Sequence, residues 1–155
     1  MIKIRPAVKN DVSAMHRLVM ALAEYERAPM EMINTLEQMT EDGFGQEPLY
    51  KAFVAEQDGK IIGMALFFTI YSTWKGKCIY LDDLIVDTPY RKSGAGTLLF
   101  NALIKYCQEQ DANQLRWHVL DWNTPAINFY KKYNASLDPT WVTGKLTKQQ
   151  IKDFS

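Results

Sequence analysis

Between Tyr50 and Val86 the chain places three strand-like runs in immediate succession: "YKAFVAEQ", "KIIGMALFFTIYS" and "KCIYLDDLIV". No other feature limits the fold as strongly. Asp58-Gly59 alone separates the first two runs, and such a pair suits the positive φ angles of a two-residue hairpin turn. Consecutive strands without an intervening helix pair antiparallel, so a purely alternating βα architecture is excluded.

Helical and strand patterns flank this centre. "IKIRPAV" alternates like a strand, and Asn10 or Asp11 is placed to cap a helix with Val12, Met15, Leu18, Val19 and Leu22 on one face. "NTLEQMTED" reads as a second helix ending at Gly43, a C-terminal glycine signal. After the central strands comes a helix with Leu98, Leu99, Ala102, Leu103 and Tyr106 on one side, then a strand in "QLRWHVLD". "TPAINFYKKY" follows as a helix with Thr124 as cap and Pro125 at its first position. A strand near Trp141 and Val142 and a last helix, "TKQQIKDF", complete the series. The fold class is α/β in the α+β sense: a mixed central sheet, antiparallel in its N-terminal part and flanked by helices.

At 155 residues the chain is expected to form one domain over 1–155, with no repeat or linker. Eighteen basic and eighteen acidic residues cancel, which recommends neither nucleic acid nor an anionic membrane as partner. The longest uncharged run, Ile61 to Trp74, is too short for a membrane helix. "MIKIRPAVKND" lacks the apolar region of a secretion signal. Cys78 and Cys107 sit in apolar runs without metal-like spacing, so they read as reduced core residues of a cytoplasmic protein with no metal site.

Chemistry concentrates in "DTPYRKSGAGTLLFNALIKY", Asp87 to Tyr106. A helix N-terminus carries unpaired backbone N–H groups and partial positive charge, and glycines there admit a bulky anion to the backbone. Gly94 and Gly96 open the helix while Arg91 and Lys92 add charge. The NTPase phosphate loop and the dinucleotide fingerprint are both absent, the latter because Leu99 stands where its third glycine belongs. Spacing alone leaves two readings open, a phosphate cradle and a plain tight turn.

Arg-x-x-Gly-x-Gly between a strand ending "LIV" and an amphipathic helix resembles the acetyl-CoA pyrophosphate loop of the GNAT superfamily of N-acetyltransferases. "IRPA", "LAEYE", "EDGFG", "YLDDLIV", "WN.PAINFYKKY" and "AS" fall in the order of its diamine (spermidine/spermine) and thialysine acetyltransferase branch. This resemblance implies a GNAT fold, acetyl-CoA as donor, a small-molecule amine as acceptor and a homodimer. By it, Leu84, Ile85 and Val86 offer main-chain groups to the pantetheine arm. The backbone of Arg91, Lys92, Ser93, Gly94, Ala95, Gly96 and Thr97 wraps the pyrophosphate, with Lys92 where close relatives often have glycine. Asn123, Thr124, Pro125 and Ala126 match a second cofactor-contacting stretch.

Tyr130 occupies the position of the family's general acid, since a phenol with pKa of about 10 is protonated at neutral pH and can donate to a departing thiolate. Periodicity alone would make it a core aromatic. Asp82 aligns with a family glutamate that attracts the acceptor cation and gives its proton a route; Asp83, by strand alternation, falls on the opposite face as a structural residue. Tyr25 and Glu26, at the end of the first helix, and Trp117 and His118, in the later strand, match acceptor-lining positions. After the tyrosine helix, "LDPTWVTGKL" holds only Asp138 as an acid, which makes a shorter lysine-like or thialysine-like amine as suitable as a long polyamine. Two rival functions stand beside amine acetylation: acetylation of protein N-termini or other small amines, and a non-catalytic acetyl-CoA sensor.

Overall fold

The computed structural model describes residues 1–155 and divides into two compact units, Met1–His118 and Val119–Ser155. The first unit contains β1 (Lys3–Pro6), α1 (Val12–Tyr25), α2 (Leu36–Phe44), β2 (Lys51–Gln57), β3 (Lys60–Ser72), β4 (Gly76–Val86), α3 (Ala95–Glu109) and β5 (Leu115–Arg116). Its sheet has the order β1-β2-β3-β4-β5, antiparallel from β1 to β4, with β5 parallel to β4. The expected mixed sheet with an antiparallel N-terminal part is what forms. Asp58 (φ 51°) and Gly59 (φ 75°) both take positive φ at the β2–β3 turn, as a two-residue hairpin requires.

Opposite faces of the sheet bury different helices. Val54, Met64, Leu66 and Ile85 pack with Val12, Met15 and Leu18 of α1 and Met39 of α2. One residue along the strands, Phe53 and Phe67 meet Tyr106 of α3, with ring centroids 6.2 and 4.9 Å from it. The period-2 alternation of a strand produces this two-sided core.

Several local expectations shift. Asp11 does stand at the N-cap of α1, but its carboxylate accepts from Val8 N (2.8 Å) and from both terminal nitrogens of Arg5 (2.7 and 3.0 Å). Arg5 also donates to Glu56 on β2, and its hydrogen bonds hold the Asp11 carboxyl below the usual carboxylate range. Helix α2 runs through Gly43 to Phe44 instead of ending there. Gly43 is needed for space: a Cβ would run into the ring of Tyr50, whose hydroxyl donates to Met39 O (2.7 Å). The strand expected in "QLRWHVLD" contracts to Leu115–Arg116.

The second unit holds α4 (Thr124–Lys131) and α5 (Lys148–Lys152). The cap of α4 is Asn123, one residue before the expected Thr124, and its side chain accepts from Ala126 N (3.4 Å). Thr147 and Gln150 cap α5 reciprocally, at 3.1 and 2.8 Å. Trp141 and Val142 form no strand and are 75% and 92% exposed.

Candidate functional site

Ladder pairing between β3 and β4 runs Phe67↔Leu81 and then Leu66↔Asp83, so Asp82 is an extra residue opposite no partner. Such a bulge turns over the strand beyond it. Tyr80, upstream, stacks on Phe68; Asp83, downstream, pairs with Leu66; and Asp82 and Asp83 line one cavity together with Leu66 and Phe68. Strict alternation put Asp83 on the far face, and the bulge corrects that: both carboxylates reach the same pocket.

The pocket has a volume of about 330 Å³, the low end for small-ligand sites. Val19 of α1, Met39 and Asp42 of α2, and Met32, Asn34, Leu49 and Tyr50 complete its wall with Leu66, Phe68 and the two β4 acids. Three carboxylates and no Lys, Arg or His stand in that lining. Such a wall is apolar at its sides and carries negative charge at its acids.

The acids repel one another through a partly dry medium. Burial first, then the neighbouring Asp82 and Glu26 charges, push the Asp83 carboxyl up to about 7. Asp82 is exposed at the mouth of the wall, yet partial desolvation raises its carboxyl against an opposing pull from His118; burial also raises Glu26, with a further push from Asp82. Glu26, the C-cap residue of α1, therefore joins the β4 pair electrostatically. No group of three or more His, Cys, Asp or Glu is arranged to hold a metal ion.

Tyr80 and His118, the last residue of the first unit, meet with Oη and Nδ1 2.5 Å apart. Trp117 turns the other way, its ring edge-on to Phe100 of α3 at 5.6 Å. Neither Trp117 nor His118 lies in the pocket lining, and the same holds for Tyr25 and Glu26.

Beyond β4 the chain makes a short 3-10 turn, Thr88–Tyr90, and then enters α3. Lys92 (φ 67°) and Gly94 (φ 92°) both adopt the left-handed region, which glycine enters most readily. Residues 91–94 are exposed. Ser93 Oγ accepts from Ala95 N (3.3 Å), while the first intrahelical bond runs from Leu98 N to Gly94 O (3.0 Å). The amides of Gly96 and Thr97 lie ahead of that bond, at the positive end of a 15-residue helix. Two contacts tie this loop to α1: Arg17 to Asp87 (3.2 Å) and the Arg91 guanidinium over the Tyr25 ring (4.8 Å). Pairing of β4 with β5 stops at Tyr80↔Arg116, so the outer edge of β4 from Leu81 to Val86, including Leu84 and Ile85, has no ladder partner.

In the second unit, Asn123 and Tyr130 are both buried, the first at the start of α4 and the second in its last turn. Thr124, Pro125 and Ala126 form the opening turn of that helix. The pocket-lining carboxylate that the sequence pattern did not place there is Asp83. Its signal was the Asp-Asp pair in mid-strand, since a regular ladder would force one carboxylate into the α3 core.

The profile of the Acetyltransferase (GNAT) family matches residues 13–135, a span that crosses both units. A thialysine N-epsilon-acetyltransferase of Bos taurus is 36% identical over 142 residues, 86% of this chain and 84% of that protein. A human spermidine/spermine N(1)-acetyltransferase-like protein 1 is 28% identical, covering 99% of this chain and 24% of its own length. An aminoglycoside N-acetyltransferase solved in complex with CoA superposes with a TM-score of 0.76 at 16% identity, over 94% of this chain and 95% of that one, which speaks to the fold. GNAT-fold acetyltransferases use acetyl-CoA. The glycine loop, the bulged acidic strand and the family profile agree: this chain belongs to the GNAT family and is an acetyltransferase.

Proposed function

We propose that the chain transfers the acetyl group of acetyl-CoA to a primary amine of a small cation, such as a polyamine, thialysine or a lysine-like molecule. The acid pocket carries this reading: Asp82 and Asp83 share a wall with Asp42, and no Lys, Arg or His stands in that wall. An alkylammonium with pKa of about 10.4 is only about one part in a thousand neutral near pH 7.4, roughly 4 kcal/mol uphill. A carboxylate must hold the cation while its proton finds a way out. Asp82, with Asp83 behind it, suits that task, and Tyr25 and Glu26 suit the approach to it.

Acetyl-CoA, when bound, supplies the acyl thioester. The residues present fit it on three counts. The amides of Gly96 and Thr97 with the left-handed Lys92 and Gly94 make a concave donor set for a diphosphate, and Arg91 and Lys92 add positive charge. The open β4 edge at Leu84, Ile85 and Val86 suits an extended arm with amide groups. Asn123 to Ala126 form the second contact in this assignment, and Tyr130 is assigned to offer its hydroxyl to the departing sulfur. The chain is assigned to act as a homodimer in the cytoplasm. Support comes from the exposed tail side chains Trp141, Val142, Leu146, Ile151 and Phe154, and from two free cysteines.

The test is a panel of polyamines, thialysine, lysine and peptides incubated with acetyl-CoA, with thiol release as readout and calorimetry of acetyl-CoA binding alongside. Turnover on small amines is expected. Turnover on peptide N-termini alone would move the function to the first rival; tight acetyl-CoA binding without turnover on any amine would move it to the sensor.

A further inference from the structure

The Tyr80–His118 contact bridges two distant stretches of the chain near the surface. His118 is exposed, Tyr80 is half-buried, and the two are 38 residues apart in sequence. Its position gives it meaning. Tyr80 stacks on Phe68 (5.4 Å, 33° between planes), and Phe68 lines the acid pocket. The bulge at Asp82 brings Tyr80 and Asp83 to the same side of β4.

We propose that Tyr80 and His118 form a relay that carries the acceptor's ammonium proton out of the acid pocket to solvent. The inference rests on the amine acetylation reading and adds to it the exit path that Asp82 alone does not provide. The ammonium N–H breaks as Tyr80 Oη takes that proton. The hydroxyl's own proton passes to His118 Nδ1, so the positive charge moves from the amine to the imidazole. His118 then loses its Nε2 proton to water, and the imidazole is left neutral with the proton on Nδ1. Rotation of the phenol hydroxyl and proton exchange with water restore the starting tautomer. No co-reactant is consumed.

The surrounding charges favour this direction. Burial and the Asp82 and Asp83 charges keep the Tyr80 phenol protonated at neutral pH, against an opposing pull from Arg116 on β5. With His118 in its Nε2–H tautomer, Tyr80 is the donor and Nδ1 the acceptor in the resting pair. Asp82 interacts attractively with His118 when the ring is charged. Glu26, from the end of α1, adds negative potential to both β4 acids. A short hydrogen bond between phenol and imidazole survives the transfer by reversing its direction. Imidazoles exchange protons readily between about pH 5 and 8, which suits the final release to water.

The experiment measures kcat/KM for the best amine of the panel between about pH 6 and 9.5, in wild type, Tyr80→Phe, His118→Ala and His118→Gln. Gln accepts a hydrogen bond from Tyr80 as Nδ1 does but takes up no proton, which separates holding Tyr80 in place from moving a proton. The relay requires both His118 variants to fall by about a hundredfold near pH 7 and to approach wild type near pH 9.5, where free amine is plentiful. Added imidazole should restore part of the His118→Ala rate, with the acetyl-CoA KM unchanged throughout. A His118→Gln variant with wild-type rates, or a deficit that stays constant across pH, overturns the relay and leaves amine acetylation standing. Wild type inactive on every amine overturns both.

Discussion

Asp83→Asn tests the electrostatics of the pocket without chemistry. The folded chain holds this carboxyl at about 7, against an ordinary 3.8, through burial and the Asp82 and Glu26 charges. A carboxyl whose proton affinity rises on folding costs stability once the solution can ionise it. The cost is absent below about pH 4, grows as pH rises through the interval between the two values, and is complete above about 7. Each tenfold change in proton affinity is worth about 1.4 kcal/mol, so the full penalty is up to about 4 kcal/mol. Asn removes the charge and keeps the shape. Urea unfolding followed by circular dichroism should give the variant the same stability as wild type near pH 4. Near pH 8 the variant should be more stable by a large part of that amount. A saturating diamine should narrow the gap at pH 8 by stabilising ionised wild type. Equal stability of the two proteins at both pH values would refute the claim that Asp83 is held among like charges in a poorly solvated wall.

Three shorter expectations accompany it. Tyr130→Phe should lower kcat by about a hundredfold or more while calorimetric acetyl-CoA affinity stays the same; unchanged turnover would remove its role as acid. Asp82→Asn should depress kcat/KM most at low pH, where the acceptor is hardest to deprotonate, and a constant ratio to wild type from about pH 6 to 9 would count against it. Gly94→Ala meets no protein atom within 4 Å of its new Cβ, yet φ of 92° strains any residue with a side chain. A loss of about 1–2 kcal/mol in stability and weaker acetyl-CoA binding should follow, with thermal melting and calorimetry as readouts.

What the sequence disclosed follows the range over which each signal acts. The β2–β3 hairpin was legible because Asp58 and Gly59 set their own dihedral angles, whereas the Asp11 carboxylate at the start of α1 is claimed by Arg5 and Val8 N and caps no amide of α1. Gly43 misled because its glycine looks like a helix terminator locally, while its use is a contact with Tyr50 seven residues on. The strand expected at Trp141–Val142 had β-formers but found no pairing edge. At the site, the turn into α3 could be read from its glycines, since Gly94 takes the left-handed conformation just before the helix. The shared face of Asp82 and Asp83 could not, because a bulge is decided by pairing with β3. The Tyr80–His118 contact joins β4 to the segment just after β5 and leaves no mark in either stretch alone.

The extra residue in β4 also bears on how this wall can vary. Leu81 and Asp83 already occupy consecutive rungs opposite Phe67 and Leu66, so a chain lacking Asp82 would zip into an uninterrupted ladder. Every apolar side chain on both sides of the sheet would keep its neighbours. A one-codon insertion or loss at this place therefore edits the number of negative groups offered to a visitor and spares the interior, which lets acceptor preference drift independently of folding.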